Sequence, residues 1–202
     1  MIDKTTGITG GIGSGKSVVA RVLRCNGFYV YDCDSKAKFI MAHDEVVKKA
    51  LVNKLGDDIF LDNKLNKAKL SGLIFNHAEV RTIVNEIVHK AVRTDILNKR
   101  REKSGYLFIE SAILATGGLT DLCDEIWVIE SSRKERELRL AQRDKISIDE
   151  ICKRIESQNK EMSLLKKNDV IIIKNESNHP MLTQILKLTD KYKPQQTHII
   201  LC

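Results

Sequence analysis

Short apolar runs alternate along the chain with longer segments whose apolar residues recur every three or four positions. Five of the runs have the length and composition of strands, at residues 5–9, 28–32, 106–110, 125–130 and 170–173. Strands that are separated by helical segments are typical of an α/β domain with a mostly parallel sheet. The pattern therefore predicts a three-layer fold with a five-stranded parallel sheet between helices.

The interval between the second and third predicted strands is much longer than a crossover connection requires. Its clearest helix carries an apolar stripe of period 3.6, formed by Val80, Ile83, Val84, Ile87, Val88, Ala91 and Val92. We therefore expect a helical subdomain over about 34–103 that binds a second substrate. A charged helical region over about 132–167 separates the fourth and fifth strands, and we predict that it is a lid on a single domain, 1–202.

Composition narrows the class of partner. The chain has 202 residues, and its 34 Lys+Arg against 27 Asp+Glu give a formal net charge of +7. A basic balance favours an anionic partner such as a nucleic acid, a membrane surface or a polyphosphate metabolite, and the alternative is that the charge serves only solubility. No basic stripe is interleaved with aromatic residues, so we expect no nucleic-acid partner.

Cysteine usage and hydropathy indicate the compartment. The five cysteines are scattered and form no C-x-x-C pair, which is typical of a reduced chain rather than a disulfide framework or a zinc site. The sequence has neither a secretory leader nor a run of transmembrane length. We expect a cytoplasmic protein with no membrane partner.

The segment GITGGIGSGKS at 7–17 contains the pattern G-x-x-x-x-G-K-S from Gly10 to Ser17. This is the phosphate-binding loop pattern, in which backbone N–H groups surround a phosphate chain, the lysine reaches the β- and γ-phosphates and the serine hydroxyl binds Mg²⁺. A strand is predicted before the loop and a helix after it, at 17 to about 24, and the positive end of that helix favours an anion. The predicted nucleotide-binding residues here are Gly11, Ile12, Gly13, Ser14, Gly15, Lys16, Ser17 and Val18.

Among proteins with such a loop, the sequence favours a small-molecule kinase with a moving lid. It has no N-K-x-D guanine-reading motif, and it is small for a motor or transporter ATPase. Asp32 and Asp34 lie at the end of the second strand, and residues two apart share one face of a strand. Asp34 is then either the base that accepts the acceptor hydroxyl's proton or the N-cap of the next helix. Asp32, or Glu110 at the end of the third strand, can lie on the metal side.

Three arginines of the predicted lid, Arg136, Arg139 and Arg143, are three and four residues apart and share one helix face. Such a face can clamp phosphates and stabilise the charge on a transferred phosphoryl group. The alternative is a solvated helix in which Glu135 and Glu137 are the partners. We favour the lid because the arginines follow a phosphate-binding loop in a small α/β protein.

With these motifs placed, the chain resembles the dephospho-coenzyme A kinase family over nearly its whole length. The resemblance rests on the segments TGGIGSGKS, VYDCD, LGDDIF, LNKAKLSGLIF, IVHKAVR, ESAIL, RLAQRD and VIIIKN. It implies a P-loop NTPase-type fold with a helical coenzyme A domain and a lid. It also implies transfer of the ATP γ-phosphate to the ribose 3′-hydroxyl of dephospho-CoA, with Mg²⁺. The partners would be these small molecules, for a monomer or weak homo-oligomer.

The resemblance also implies residue roles. Asp34 resembles the general base, with Asp32 beside it, and Lys16 and Arg139 complete the catalytic set. The other implied contacts are His89, Arg93 and Glu110 on the acceptor side, Arg139 and Arg143 on the ATP phosphates, and Asn175 in the adenine-side loop. The chain departs from the family pattern at Val18, Lys90, Ser111 and Ala115, where the family usually has Thr, Pro, a Pro-Leu-Leu stretch and Glu.

Two other functions remain open from the residues. Another small-molecule kinase, acting on a nucleoside or nucleotide, would share the loop and the carboxylates and differ only in its acceptor. A nucleic-acid-binding regulatory NTPase would instead use the positive charge, and it predicts salt-sensitive binding.

Overall fold

A computed structural model of the protein describes residues 2–144, 147–156, 158–165 and 170–192. Its centre is a sheet of five parallel strands, β1 (Ile2–Gly10), β2 (Tyr29–Asp32), β5 (Gly105–Glu110), β6 (Glu125–Glu130) and β7 (Ile171–Lys174). The strand order is β2-β5-β1-β6-β7, and all four pairings are parallel. The five predicted strands and the predicted parallel sheet are thus confirmed.

Helices cover both faces of this sheet, which completes the three layers. One face packs against α1 (Lys16–Cys25) and α9 (Met181–Thr189). The core of that face includes Leu23, Phe108, Trp127 and Ile185. The opposite face packs against α5 (Ala78–Glu102), through Leu107 and Ile109 of β5 among other residues. Strands buried on both faces need continuous apolar runs, which is why β5 and β6 were recognisable in the sequence.

The chain between β2 and β5 is mainly helical. It contains α2 (Cys33–His43), α3 (Glu45–Leu55), α4 (Lys67–Asn76) and α5. A short hairpin of β3 (Phe60–Leu61) and β4 (Lys64–Leu65) separates α3 from α4. Val84, Val88 and Val92 of the predicted stripe are buried in α5, because a period of 3.6 places them on one face. That this region is a separate substrate subdomain stays a prediction.

The predicted lid contains α6 (Arg133–Asp144), α7 (Ile148–Glu156) and α8 (Asn159–Leu165). Residues 145, 146, 157, 166 and 167 of the predicted lid range lie outside the described residues. Leu140, Ile151 and Ile155 form a small core between α6 and α7, and Ile12 of the phosphate-binding loop packs against it. Helices α6 and α7 therefore pack directly on the loop, and that this region acts as a moving lid stays a prediction.

The expectation that Asp32 and Asp34 share one face of a strand is wrong. β2 ends at Asp32, and α2 begins at the next residue. The Asp32 carboxylate accepts hydrogen bonds from Ser35 N at 3.0 Å and from the Ser35 hydroxyl at 2.8 Å. Asp32 is therefore the N-cap that starts α2, and Asp34, for which the cap was the alternative role, lies in the first helical turn. In the part of the chain that the structure describes, no helix is both long and apolar enough to span a membrane.

Candidate active site

Residues 10–17, hereafter the phosphate loop, connect the central strand β1 to α1 at the carboxyl edge of the sheet. Gly15 is the N-cap of α1 and has φ +106°, a conformation that residues with a side chain rarely adopt. A Cβ atom on Gly15 would also lie 2.4 Å from Nδ2 of Asn175. The backbone conformation thus favours glycine here, and any larger residue would also displace the Asn175 side chain.

Lys16 lies against the backbone of its own loop. Its Nζ donates to the carbonyl oxygens of Gly10 at 2.8 Å and Gly11 at 3.3 Å. Burial lowers the pKa of Lys16, and the carboxylates of Glu110 and Asp34 act in the opposite direction. The ammonium therefore has carboxylates nearby, and two neutral acceptors hold it in place.

The lid arginines approach the same loop from the other side. Arg136 Nε donates to Ile12 O at 2.8 Å, and Arg139 Nη1 donates to Gly13 O at 3.3 Å. Arg139 also forms an i,i+4 ion pair with Glu135, as in the alternative of a solvated helix, and the clamping of phosphates by this helix face stays a prediction. Arg143 is exposed, and a hydrogen bond with Asp144 raises its pKa.

Asn175 follows β7 and supports the loop. Its Nδ2 donates to Ser14 O at 2.7 Å, and its own carbonyl oxygen accepts from Arg139 Nη2 at 3.0 Å. These bonds connect the end of β7, the loop and the lid. The role of Asn175 beside the adenine stays a prediction.

Acidic side chains gather at the neighbouring strand ends. Asp32 and Glu110 are paired in register at the ends of β2 and β5. Burial raises the pKa of Glu110, the nearby Asp32 raises it further, and Lys16 and Arg24 oppose the rise. The region beside the loop therefore combines two neighbouring carboxylates with an ammonium group.

Two cavities meet at Asp34. The first, the loop cavity, has a volume of about 480 Å³ and includes Lys16, Ser17, Glu110, Arg139 and Arg143 in its lining. The second, the helical cavity, lies among α2, α4 and α5, has a volume of about 520 Å³, and is lined by residues that include Leu70, Ile74, Val88 and His89. Asp34 lines both cavities, so its carboxylate lies between a phosphate-binding region and a mainly apolar one.

The two predicted acceptor-side residues of α5 differ in placement. His89 lines the helical cavity, and burial lowers its pKa. Arg93 is not part of that lining. Its Nη1 donates to Gly118 O and to Asp121 Oδ1, both at 2.7 Å, so Arg93 holds the loop that follows β5. Direct contact between Arg93 and an acceptor stays a prediction.

Sequence reasoning missed a residue that contacts the phosphate loop directly. Gln158 Oε1 accepts a hydrogen bond from Ile12 N at 2.5 Å, and Gln158 also lines the loop cavity. No local pattern marks a glutamine as the partner of a backbone amide so far away in the sequence. The lid therefore contacts the loop through Gln158 as well as through its arginines.

A parallel sheet with a glycine-rich loop after its central strand, basic lid residues over that loop and carboxylates at the adjacent strand ends defines a P-loop NTPase fold of the kinase type. The family model "CoaE: Dephospho-CoA kinase" matches residues 4–180, and the chain belongs to this family.

Individual comparisons agree. The dephospho-CoA kinase of Porphyromonas gingivalis is 36% identical over 193 residues, which cover 95% of this chain and 96% of that protein. The crystal structure of TT1252 from Thermus thermophilus is similar, with a TM-score of 0.80 and 25% identity over 96% of this chain and 100% of that one. Shikimate kinase from Acinetobacter baumannii is similar in fold, with a TM-score of 0.53 and 14% identity over 94% of each chain.

Proposed function

We propose that the protein phosphorylates the ribose 3′-hydroxyl of dephospho-CoA with ATP, giving coenzyme A and ADP. The observation that carries the proposal is that Asp34 lines both cavities. A kinase must bring a terminal phosphoryl group and an acceptor hydroxyl together beside a proton acceptor. The boundary between the two cavities offers that position, and membership of the dephospho-CoA kinase family supports this acceptor.

In the proposed reaction, the triphosphate lies on the phosphate loop with its terminal group toward Asp34. The 3′-oxygen forms a bond to the γ-phosphorus as the bond to the β,γ-bridging oxygen breaks, and ADP leaves. Asp34 accepts the hydroxyl proton, a role typically worth about 10²–10⁴ in rate. Lys16, Arg139 and Arg143 neutralise the phosphate charge, and the lid excludes water that would otherwise hydrolyse ATP.

The residues beside the loop fit Mg²⁺. The exposed Ser17 hydroxyl lines the loop cavity, and Asp32 and Glu110 offer carboxylate oxygens nearby. Among the described residues, no three His, Cys, Asp or Glu side chains are grouped to hold a metal. Such a donor set suits Mg²⁺, which uses one or two protein oxygens and completes its shell with phosphate and water. When bound, Mg²⁺ would neutralise charge on the ATP phosphates, with Ser17 and Asp32 as its protein ligands.

We also infer that this activity belongs in the cytoplasm. Each of the described cysteines is a free thiol. Cys33 is buried and lines the helical cavity, and desolvation raises the pKa of the half-buried Cys123 thiol to about 12. Unreactive, reduced thiols of this kind support a reducing compartment.

A comparison of acceptors tests the proposal. Purified protein with ATP and Mg²⁺ is offered dephospho-CoA, a dephospho-CoA analogue that lacks the 3′-hydroxyl, or a set of nucleosides and nucleotides. We expect a product 80 Da heavier than dephospho-CoA (the mass of one phosphoryl group), with one ADP for each product molecule, and no product from the deoxy analogue. Turnover of a nucleoside or nucleotide in preference to dephospho-CoA would instead support the alternative small-molecule kinase.

Asp34→Asn tests the proton acceptor. The change removes the charge but keeps the shape, so kcat should fall about 10²–10⁴-fold, while thermal unfolding changes little because Asp34 is exposed. Asp57→Asn is the matched control, since Asp57 is an exposed aspartate of the same helical region and lines neither cavity. A near-normal kcat for folded Asp34→Asn would reject Asp34 as the base.

A further inference from the structure

Glu161 of α8 is a buried carboxylate that the proposed reaction does not use. It is 2% exposed and accepts hydrogen bonds from three neutral donors. These are Ala115 N at 2.7 Å, Thr116 N at 2.8 Å and the Thr116 hydroxyl at 2.8 Å. A buried carboxylate without such donors would be strongly destabilising. Glu161 therefore fastens the lid to the segment that follows β5.

That segment, residues 111–118, is the wall between the two cavities. Ala112 lines the loop cavity, whereas Ser111, Ile113 and Gly117 line the helical cavity. The segment is a compact turn, with a hydrogen bond from Gly117 N to Ile113 O at 2.7 Å. Because this backbone hydrogen bond holds the turn together, a shift at Ala115 and Thr116 would also move the residues that line both cavities.

The same short stretch of the lid also contacts the phosphate loop. Gln158, three residues before Glu161, accepts from Ile12 N. One end of residues 158–161 is thus bonded to the loop proposed to hold ATP, and the other end to the wall of the helical cavity. The family glutamate expected at 115 is an alanine here, and Glu161 brings a carboxylate to the backbone of that same residue from the lid.

We propose that Glu161 is a positioning residue that couples the lid to the acceptor side of the site. It holds segment 111–118 against the lid, so that the acceptor hydroxyl is in place when the lid covers the ATP phosphates. Without this bond the lid can lie over ATP while the wall is displaced. Water then competes better with the hydroxyl for the γ-phosphoryl group. This inference rests on the proposed function and adds a residue that touches neither substrate.

Glu161→Gln is the first test. Glutamine keeps the shape and one acceptor oxygen, but its NH₂ group would face a backbone N–H donor, so at least one charge-assisted bond is lost. We expect KM for dephospho-CoA to rise roughly 10- to 100-fold, with KM for ATP nearly unchanged. The ratio of ATP hydrolysed to coenzyme A formed should rise severalfold. A role in stability alone would not change that ratio in folded protein.

Two further variants sharpen the test. Glu156→Gln is the matched control, because it makes the same charge change at an exposed position of the same lid, and it should leave KM and the hydrolysis ratio unchanged. Glu161→Asp keeps the carboxylate on a shorter side chain and should restore part of the coupling. Thr116→Val removes only the hydroxyl donor and should move both readouts in the same direction by a smaller factor.

The outcomes separate this inference from the proposed function. If wild-type protein forms no coenzyme A, both fail. If wild-type protein is active but folded Glu161→Gln matches Glu156→Gln in KM and in hydrolysis ratio, the inference alone is overturned. If Glu161→Gln does not fold, Thr116→Val decides: wild-type values of KM and of the ratio would overturn the coupling role, and a shift in both would support it.

Discussion

Replacing Gly15 by alanine tests the geometry of the phosphate loop. The backbone at Gly15 has φ +106°, and a left-handed conformation costs a residue with a side chain about 1–2 kcal/mol. The new Cβ would lie 2.4 Å from Asn175 Nδ2 and would displace the hydrogen bond from Asn175 to Ser14 O, which contributes about 0.5–1.5 kcal/mol. We therefore expect Gly15→Ala to lower the free energy of unfolding by about 1.5–3.5 kcal/mol.

Gly27→Ala is the matched control for backbone strain. Gly27 lies just beyond the other end of α1 with φ +83°, and nothing lies within 4 Å of a Cβ built there. This variant should lose only the conformational term, about 1–2 kcal/mol. The free energies of unfolding of the two variants are compared by chemical denaturation. A double variant, Gly15→Ala with Asn175→Ala, removes the contact between the new Cβ atom and Asn175 Nδ2. That double variant should be no less stable than Gly15→Ala alone, because the two residues are in contact and their effects are not additive.

ATP affinity, measured by calorimetry in the presence of Mg²⁺, distinguishes an effect on the phosphate loop from a general effect on stability. A displaced loop should lose at least one backbone hydrogen bond to a phosphate oxygen, each worth about 1.5–3 kcal/mol, or roughly 10- to 150-fold in Kd. Gly27→Ala should bind ATP as the wild type does. The reasoning is refuted if Gly15→Ala binds ATP with wild-type affinity and is no less stable than Gly27→Ala.

Three further predictions follow from individual contacts. Lys16→Met should lower kcat/KM about 10²–10³-fold while the midpoint of thermal unfolding stays close to wild type, and unchanged kinetics would reject its role. Burial raises the pKa of Glu125, but hydrogen bonds that include those from Lys191 and Lys4 outweigh it and lower that pKa from 4.5 to about 2. Ionised Glu125 thus stabilises the fold above pH 4.5 by at most about 3 kcal/mol, and this contribution is lost as the pH falls toward 2. The free energy of unfolding should therefore fall less steeply with decreasing pH in Glu125→Gln than in the wild type, and equal slopes in the two proteins would contradict this. Tyr31→Phe removes the 2.7 Å hydrogen bond from Tyr31 to Asp95 and should cost about 1 kcal/mol in denaturation, whereas an unchanged midpoint would mean that this bond between β2 and α5 contributes nothing.

The elements that local sequence predicts well are those whose signal lies within a few residues. The strands β5 and β6 are continuous apolar runs, the stripe of α5 repeats every 3.6 residues, and the phosphate loop is fixed by glycine spacing. The exception is the end of β2, where two rules compete. Strand periodicity extends to Asp34, but the side chain of Asp32 caps Ser35 N and starts a helix two residues earlier.

The contacts that sequence reasoning misses are the long-range polar ones. Gln158 bonds to Ile12 across 146 residues, and Glu161 bonds to Ala115 across 46. Neither partner is a charged group of opposite sign, because the donors are backbone N–H groups that every non-proline residue carries. Periodicity and charge patterns carry no information about such a choice. The choice of backbone partner depends on which turn the lid helices contact, and that contact is defined only in the folded chain.

The cations around the phosphate loop also bear on how the loop is organised. Lys16 donates to Gly10 O, Arg136 to Ile12 O and Arg139 to Gly13 O. In a trans peptide the carbonyl and the following N–H point in opposite directions, so a cation that fixes a carbonyl also fixes the direction of the next amide. The Ser14 N–H that follows Gly13 O already donates to Gly11 O at 3.1 Å. On the proposed function, Lys16 and Arg136 therefore orient the N–H groups of Gly11 and Gly13 before ATP arrives, as well as neutralising its charge. Such preorganisation reduces the conformational ordering that ATP binding requires. It depends on a close approach of Arg136 to Gly11, where a Cβ atom would lie 2.4 Å from the guanidinium group.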